Sequence, residues 1–373
     1  MRGSLIHNNK EQPSVLNQLF VLIMAFLVAM FFVVFSSKLI GQYIFHIDIA
    51  NIDFSSSREI GLGKFFQVYQ MLFLFGIPAL LMSYFLKVPF GNFFKINKRP
   101  KASYLLFATL LLFAVIPFND WIIRLNESMT LPSFLAPIEA WMRNSEDMLS
   151  KQMEAFLSME SISSLLINVF VIAFIPSIME ELFFRGLIQG LLSKWFKSIH
   201  FSIIITAVFF SAVHMQFYGF FPRLMLGVFL GYLYFWSGNL WTAIYFHFLN
   251  NLLSVLLLFV IQHNLVNEQK LEDMNQSNLA IIISFAITAT VFLLLANYYS
   301  KKRNKEGDWQ GVFSCSKTAE AEIIKGKLEN ENITAVIMKK RDSSFLSFGK
   351  IEIMVKPEDA EKALALINTI ENE

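Results

Sequence analysis

The chain has 373 residues, of which 55% are hydrophobic and only 16% charged, with a formal net charge of +2 and a mean hydropathy of +0.51. That composition excludes a water-soluble globular enzyme, and the small charge, with no dense basic tract beyond Lys301, Lys302, Arg303 and Lys305, excludes nucleic acid as a partner. The single cysteine, Cys315, excludes an intrachain disulfide framework and a four-cysteine zinc site.

In chain order, hydropathy predicts eight membrane spans, at residues 17–40, 64–86, 102–123, 161–193, 200–217, 219–237, 239–262 and 278–299. The third is interrupted by Pro117, and residues 131–160 read as an amphipathic interfacial helix rather than a crossing. The first span lacks a small-residue cleavage pattern and is read as retained. Lys87, Lys95, Lys98, Arg99 and Lys101, then Lys194 and Lys197, then the cluster at 301–305 all fall on one side of an eight-span chain. Asp48, Asp53, Glu139, Glu146, Asp147, Glu268, Glu272 and Asp273 fall on the other. Basic loops face the cytoplasm, so both termini are expected there.

Composition changes after residue 300, where 26 of 73 residues are charged against 34 of the first 300. This predicts a transmembrane domain over 1–300, a basic linker over 301–308 and a soluble α+β domain over 309–373. Its elements are a strand at Gly311 to Cys315, a helix at Thr318 to Glu329, strands at Ile333 to Met338 and Ile351 to Val355, and a helix from Pro357 to Ile370. The order β-α-β-β-α predicts a small sandwich with its helices on one face. Cys315 reads as a buried small apolar residue in its strand.

Between Ser161 and Asn267 the only acids are Glu180 and Glu181. Ionisable groups inside a membrane are costly and point to function. Arg185 follows Glu181 by four residues, the spacing at which the two face each other on a helix, whereas Glu180 is turned away by about 100°. The expectation is therefore a structural pair, Glu181 with Arg185, and a free carboxylate, Glu180. At a rise of about 1.5 Å per residue, Glu180 and His214 both lie roughly 20 Å from the basic loops, and His247 and Asn251, four apart on one face, lie about 12 and 18 Å into their span. A carboxylate, two imidazoles and a carboxamide at similar depth suit hydrolysis of an amide by water, in a site reached from the cytoplasm. No serine or cysteine stands in a nucleophile motif, and Ser211 lies near His214 without triad spacing. Glu180, His214 and His247 are also three ligands of the kind a catalytic zinc ion uses, and spacing leaves Zn2+ and a metal-free mechanism open.

Glu180, Glu181, Leu182, Phe183, Phe184, Arg185 and Gly186 resemble the first motif of the CPBP family of intramembrane proteases, which comprises CAAX proteases and bacteriocin-processing enzymes and is also called the Abi family. Phe210 with His214 resembles the second motif, and His247 with Asn251 the third. The resemblance covers about 160–260. It implies an intramembrane endopeptidase, of which eukaryotic members remove the last three residues of prenylated CAAX proteins. Glu180 and His214 would activate water, His247 and Asn251 would support the oxyanion, and Glu181 and Arg185 would hold the site together. Residues from Trp309 to Ile370 resemble a small bacterial signal-transducing domain, which implies a regulatory or protein-binding role.

The implied partners are a membrane-associated peptide or protein substrate, the lipid bilayer and a protein partner for the C-terminal domain, in a bacterial cytoplasmic membrane. Two other classes stand beside the protease. One is a proton-coupled transporter or channel that uses Glu180 and the histidines as a relay; the other is a non-catalytic scaffold or immunity protein. Plainer readings hold elsewhere. Gly186 with Gly190 and Gly227 with Gly231 favour close helix packing, Asn251 alone could be interhelical glue, and His7, His46, His200 and His263 sit at span ends or tails.

Overall fold

The structure is a computed structural model that describes residues 13–49, 52, 54, 56–267, 269, 277–307, 310–315, 317–339 and 351–371. Asp53, Glu268, Glu272, Asp273 and His7, and Trp309 and Asp308 at the predicted linker and domain edge, lie outside these residues. The chain divides into two compact units, 1–288 and 289–373.

In the first unit, α1 (Val15–Ile40) and α2 (Ser57–Phe85) start at serine caps: the side chains of Ser14 and Ser56 accept hydrogen bonds from the backbone N–H groups of Asn17 and Glu59. After a short α3 (Phe90–Phe93) come α4 (Ala102–Glu127) and the amphipathic α5 (Ala136–Leu157). The longest pass, α6 (Ile162–Phe196), switches twice into π-helical turns, at Val169–Phe174 and Leu182–Gln189. It ends at Lys197 in the left-handed conformation. There follow α7 (Ile199–Ala212), α8 (Phe220–Ser237) and α9 (Leu240–Gln262), and then α10 (Asn278–Gly307), which begins in this unit and runs across the boundary at residue 288. Gly238, at a φ of +60°, makes the turn between α8 and α9, and Asn239 caps α9 by accepting from the Trp241 N–H. The helix continues to Gly307, so most of the stretch expected to be a linker is helical.

Seven of these helices are long and apolar enough to cross a bilayer, making this an integral membrane protein. The expected eighth span, 200–217, contains a shorter helix than its hydropathy predicts. Its helix α7 stops at Ala212 after 14 residues, about 21 Å, short of the roughly 30 Å hydrocarbon core. The rest of the distance is covered by the turn that carries His214. The chain nevertheless passes from one end of the bundle to the other. Asn126, at the far end of α4, donates to the carbonyl of Phe217 and accepts from the N–H of Phe221. Asn239 donates to the carbonyl of Lys98, at the near end of α4.

Pro117 does not break α4, which runs through it. Ser284 of α10 enters the ladder one residue further on: its hydroxyl donates to the Ala114 carbonyl at 2.5 Å and accepts from the Phe118 N–H at 3.1 Å. A side chain thus replaces a helical hydrogen bond where proline disturbs the backbone. Ser284→Ala is expected to leave both backbone groups unpaired and lower stability by about 1–3 kcal/mol, and Ser284→Thr to recover part of it, in denaturant titrations of detergent-solubilised protein.

In the second unit, strands β1 (Gln310–Cys315), β2 (Ala335–Lys339) and β3 (Ile351–Val355) form an antiparallel sheet in the order β1-β3-β2. Ile351, Ile353 and Val355 alternate inward and pack with Val312, Cys315 and Ala335 beneath α11 (Thr318–Asn330) and α12 (Ala360–Glu371). Both helices cover that face, as the sequence order predicts, and Cys315 is buried in it. The last helix starts three residues later than expected because Pro357–Asp359 forms a 3-10 turn.

Candidate active site

The central helix α6 presents Glu180 and Glu181 just before its second π segment, where the wider turn re-aims successive side chains. Glu181 and Arg185 are both 0% exposed and form an ion pair at 2.8 Å, as their spacing predicts. Arg185 also donates to the Gly227 carbonyl at 3.1 Å and lies 4.6 Å from the centre of the Phe210 ring. One turn on, Gln189 repeats the contact by donating to the Gly231 carbonyl at 3.2 Å. Both carbonyls are reachable because nothing larger than glycine fits there: a Cβ on Gly227 would lie 2.9 Å from the Cβ of Ala207, and one on Gly231 2.7 Å from Ile203 Cγ2. Gly186 is equally tight, with the Phe94 ring against it.

Glu181 has a second partner that the sequence does not reveal. Its Oε1 accepts from His247 Nδ1 at 2.9 Å, across 66 residues. A carboxylate can only accept, so the bond holds the hydrogen on Nδ1 and, in the neutral ring, leaves a lone pair on Nε2. That Nε2 lies 3.9 Å from Glu180 Oε2, and both side chains are buried. The distance is too long for a direct hydrogen bond and short enough for both groups to grip one water molecule. Glu180 is 5% exposed and is held by no direct hydrogen bond among the described residues.

His214 sits on the turn after α7. Its Nδ1 faces the Phe210 carbonyl at 2.8 Å, which likewise leaves Nε2 as the acceptor of the neutral ring. The Phe210 ring touches both imidazoles edge-on, with centroids 5.3 Å from His214 and 5.8 Å from His247. The spacer of the second motif therefore packs the site. Arg223 braces the turn by donating to the carbonyl of Gln216 and, at 3.1 Å, to its side chain. The amphipathic α5 closes over the same turn: Glu146 accepts from the Tyr218 N–H, and the Trp141 ring packs at a tilt against Phe217. This turn lies at the α4 end marked by Asn126, opposite the basic 87–101 loop, whereas the sequence reading expects entry from the basic side.

Asn251 is drawn elsewhere. Its amide donates to the Ile172 carbonyl in the first π segment at 3.1 Å, and its oxygen accepts from Asn250. It ties α9 to α6 one turn from His247, with one amide hydrogen left over. Ser211 donates to the Phe220 carbonyl at 2.6 Å and is engaged as a structural group. Sequence reasoning missed Gln189 and Arg223. Gln189 had a signal, since it follows Arg185 by four residues just as Gly231 follows Gly227.

Both histidines donate from Nδ1, to a carbonyl and a carboxylate, which is how metal-ligating imidazoles are commonly oriented. The arrangement of the side chains is the stricter test. Among the described residues no group of three or more His, Cys, Asp or Glu side chains is placed to hold a metal ion, so Glu180, His214 and His247 do not fit one as they stand.

Residues 162–253 match the family described as Type II CAAX prenyl endopeptidase Rce1-like. All eleven residues quoted for the three motifs fall inside that stretch. This stretch of the membrane unit is similar to that family. The resemblance drawn from the motifs is borne out, and it supports an intramembrane endopeptidase in general. Residues 309–371 match the family described as Putative prokaryotic signal transducing protein, in agreement with the second resemblance. No curated protein and no solved structure matches the chain.

Proposed function

We propose that the membrane unit hydrolyses a peptide bond of a membrane-associated substrate with a water molecule activated between Glu180 and His247. The observation that carries this reading is the Glu181–His247 hydrogen bond, which turns Nε2 toward Glu180 in a buried, apolar setting. Glu180 accepts a proton from the water while Nε2 accepts a hydrogen bond from the other hydrogen and orients the oxygen. The oxygen attacks the carbonyl carbon, and the carbonyl electrons move to its oxygen. Glu180 then passes its proton to the amide nitrogen as the C–N bond breaks, which restores the carboxylate. His214 accepts from water or a substrate N–H through Nε2 when neutral and donates to the oxyanion when protonated; the spare amide hydrogen of Asn251 is a second donor. Glu181 and Arg185 are positioning residues, and no step is routed through a metal ion.

Both termini are assigned to the cytoplasmic side on the strength of the basic loops, and the membrane to a bacterium on the strength of the prokaryotic family that the C-terminal unit matches. The C-terminal unit is assigned a protein partner, on the strength of its family match.

The test is purified full-length protein with a panel of membrane-anchored and CAAX-type peptides, comparing wild type with the Glu180→Ala, His214→Ala and His247→Ala variants. Equal cleavage by all four proteins would sink the site assignment, and Glu180-dependent proton flux without cleavage would favour the relay instead. Chelation is expected to leave cleavage unchanged; loss of cleavage restored by added zinc would replace the glutamate mechanism with a metal one.

A further inference from the structure

The loop between α3 and α4 borders a pocket that the peptidase mechanism does not use. It encloses about 320 Å3, and Lys98, Arg99, Leu105, Trp241 and Tyr245 line it. The loop is pinned. Trp241 Nε1 donates to the Ile96 carbonyl at 3.0 Å, Asn239 donates to the Lys98 carbonyl at 2.6 Å, and Phe94 is wedged against Gly186.

Charge in this pocket has one sign. Residues 87–101 hold five lysines and arginines and no acid, and among the described residues neither Lys98 nor Arg99 has a carboxylate partner. Two long helices, α4 and α9, begin here, and no side chain caps the first turn of α4. Their N-terminal dipoles add to the attraction for an anion. Leu105 supplies an apolar wall, and Leu106, Leu110 and Phe113 continue it as exposed residues along α4, three or four apart. Trp241 stands part-exposed at the helix end, the level at which indole rings mark the membrane–water boundary. An anion with a long apolar tail uses both halves of this surface, whereas free phosphate uses only the first.

We propose that this pocket binds the phosphate headgroup of an anionic phospholipid between Lys98 and Arg99, with an acyl chain lying along α4 from Leu105 to Phe113. The experiment reconstitutes the full chain in vesicles containing brominated phosphatidylglycerol or brominated phosphatidylcholine at equal mole fraction. Quenching of the emission that Trp241→Phe removes reports the lipid at the pocket. The expected preference for phosphatidylglycerol is on the order of tenfold, and the Lys98→Gln/Arg99→Gln double variant is expected to abolish it. Lipid that copurifies in mild detergent, identified by mass spectrometry, gives the same comparison without relying on Trp241. Equal quenching by the two lipids, or a preference that survives the double substitution, overturns the proposal. Loss of the preference in a molar excess of inorganic phosphate overturns it in favour of a free-anion site.

Discussion

Glu180→Gln is expected to lower kcat for peptide cleavage by about 10²–10⁴-fold and leave KM nearly unchanged. The amide has the size and shape of the carboxylate, so the packing around a side chain that is 5% exposed is preserved, while the group that accepts the water's proton is gone. The effect belongs to kcat because proton removal occurs in the transition state and not on binding. Glu181→Gln separates base from support. The amide oxygen can still accept from His247 Nδ1, so the ring stays in place, but the charge that favours a proton-sharing imidazole is lost. A smaller loss, about 10–100-fold, together with a shifted pH profile, is the expected result for a positioning residue. Loss of cleavage by Glu181→Gln as deep as that by Glu180→Gln would reverse the two roles.

How much of this was legible in the sequence follows from the range of each interaction. The Glu181–Arg185 pair and the separation of Glu180 from it are set within one helical turn, and the spacing revealed both. The strand at Ile351 to Val355 was likewise legible, and the structure shows Ile351, Ile353 and Val355 on its buried face. The Glu181–His247 bond joins α6 to α9 across 66 residues, and no local period encodes it. Depth estimates, roughly 20 Å for Glu180 and about 12 Å for His247, gave only a similar depth and did not fix which carboxylate the imidazole meets. Hydropathy over-read 200–217 because it measures how apolar a stretch is and not where its backbone turns, and Val213, Met215 and Phe217 carry the apolar signal past the end of the helix. Pro117 was read as an interruption because the serine that repairs its surroundings lies on α10, 167 residues later. Asn251 shares a helical face with His247, yet the carbonyl of Ile172 claims it, because the π segment of α6 presents that carbonyl to α9.

Arg185→Met is expected to lower the unfolding free energy by about 3–5 kcal/mol, in denaturant titrations of the detergent-solubilised protein. Three interactions go at once: the 2.8 Å bond to Glu181, the bond to the Gly227 carbonyl and the cation–π contact with Phe210. The larger part of the cost is what remains. Glu181 is 0% exposed and would be left as a buried carboxylate facing only an imidazole. The double variant Glu181→Leu/Arg185→Met removes that stranded charge and is expected to regain much of the stability, since apolar side chains of similar volume replace buried ion pairs at little cost. Cleavage is not expected to return with it, because His247 Nδ1 then has no acceptor and Nε2 is no longer held toward Glu180. Stability and activity should therefore part company in the double variant. If the two recovered together, Glu181 would be a packing residue and the orientation of His247 would have to come from elsewhere; if neither recovered, Arg185 would act through Gly227 and Phe210 rather than through Glu181.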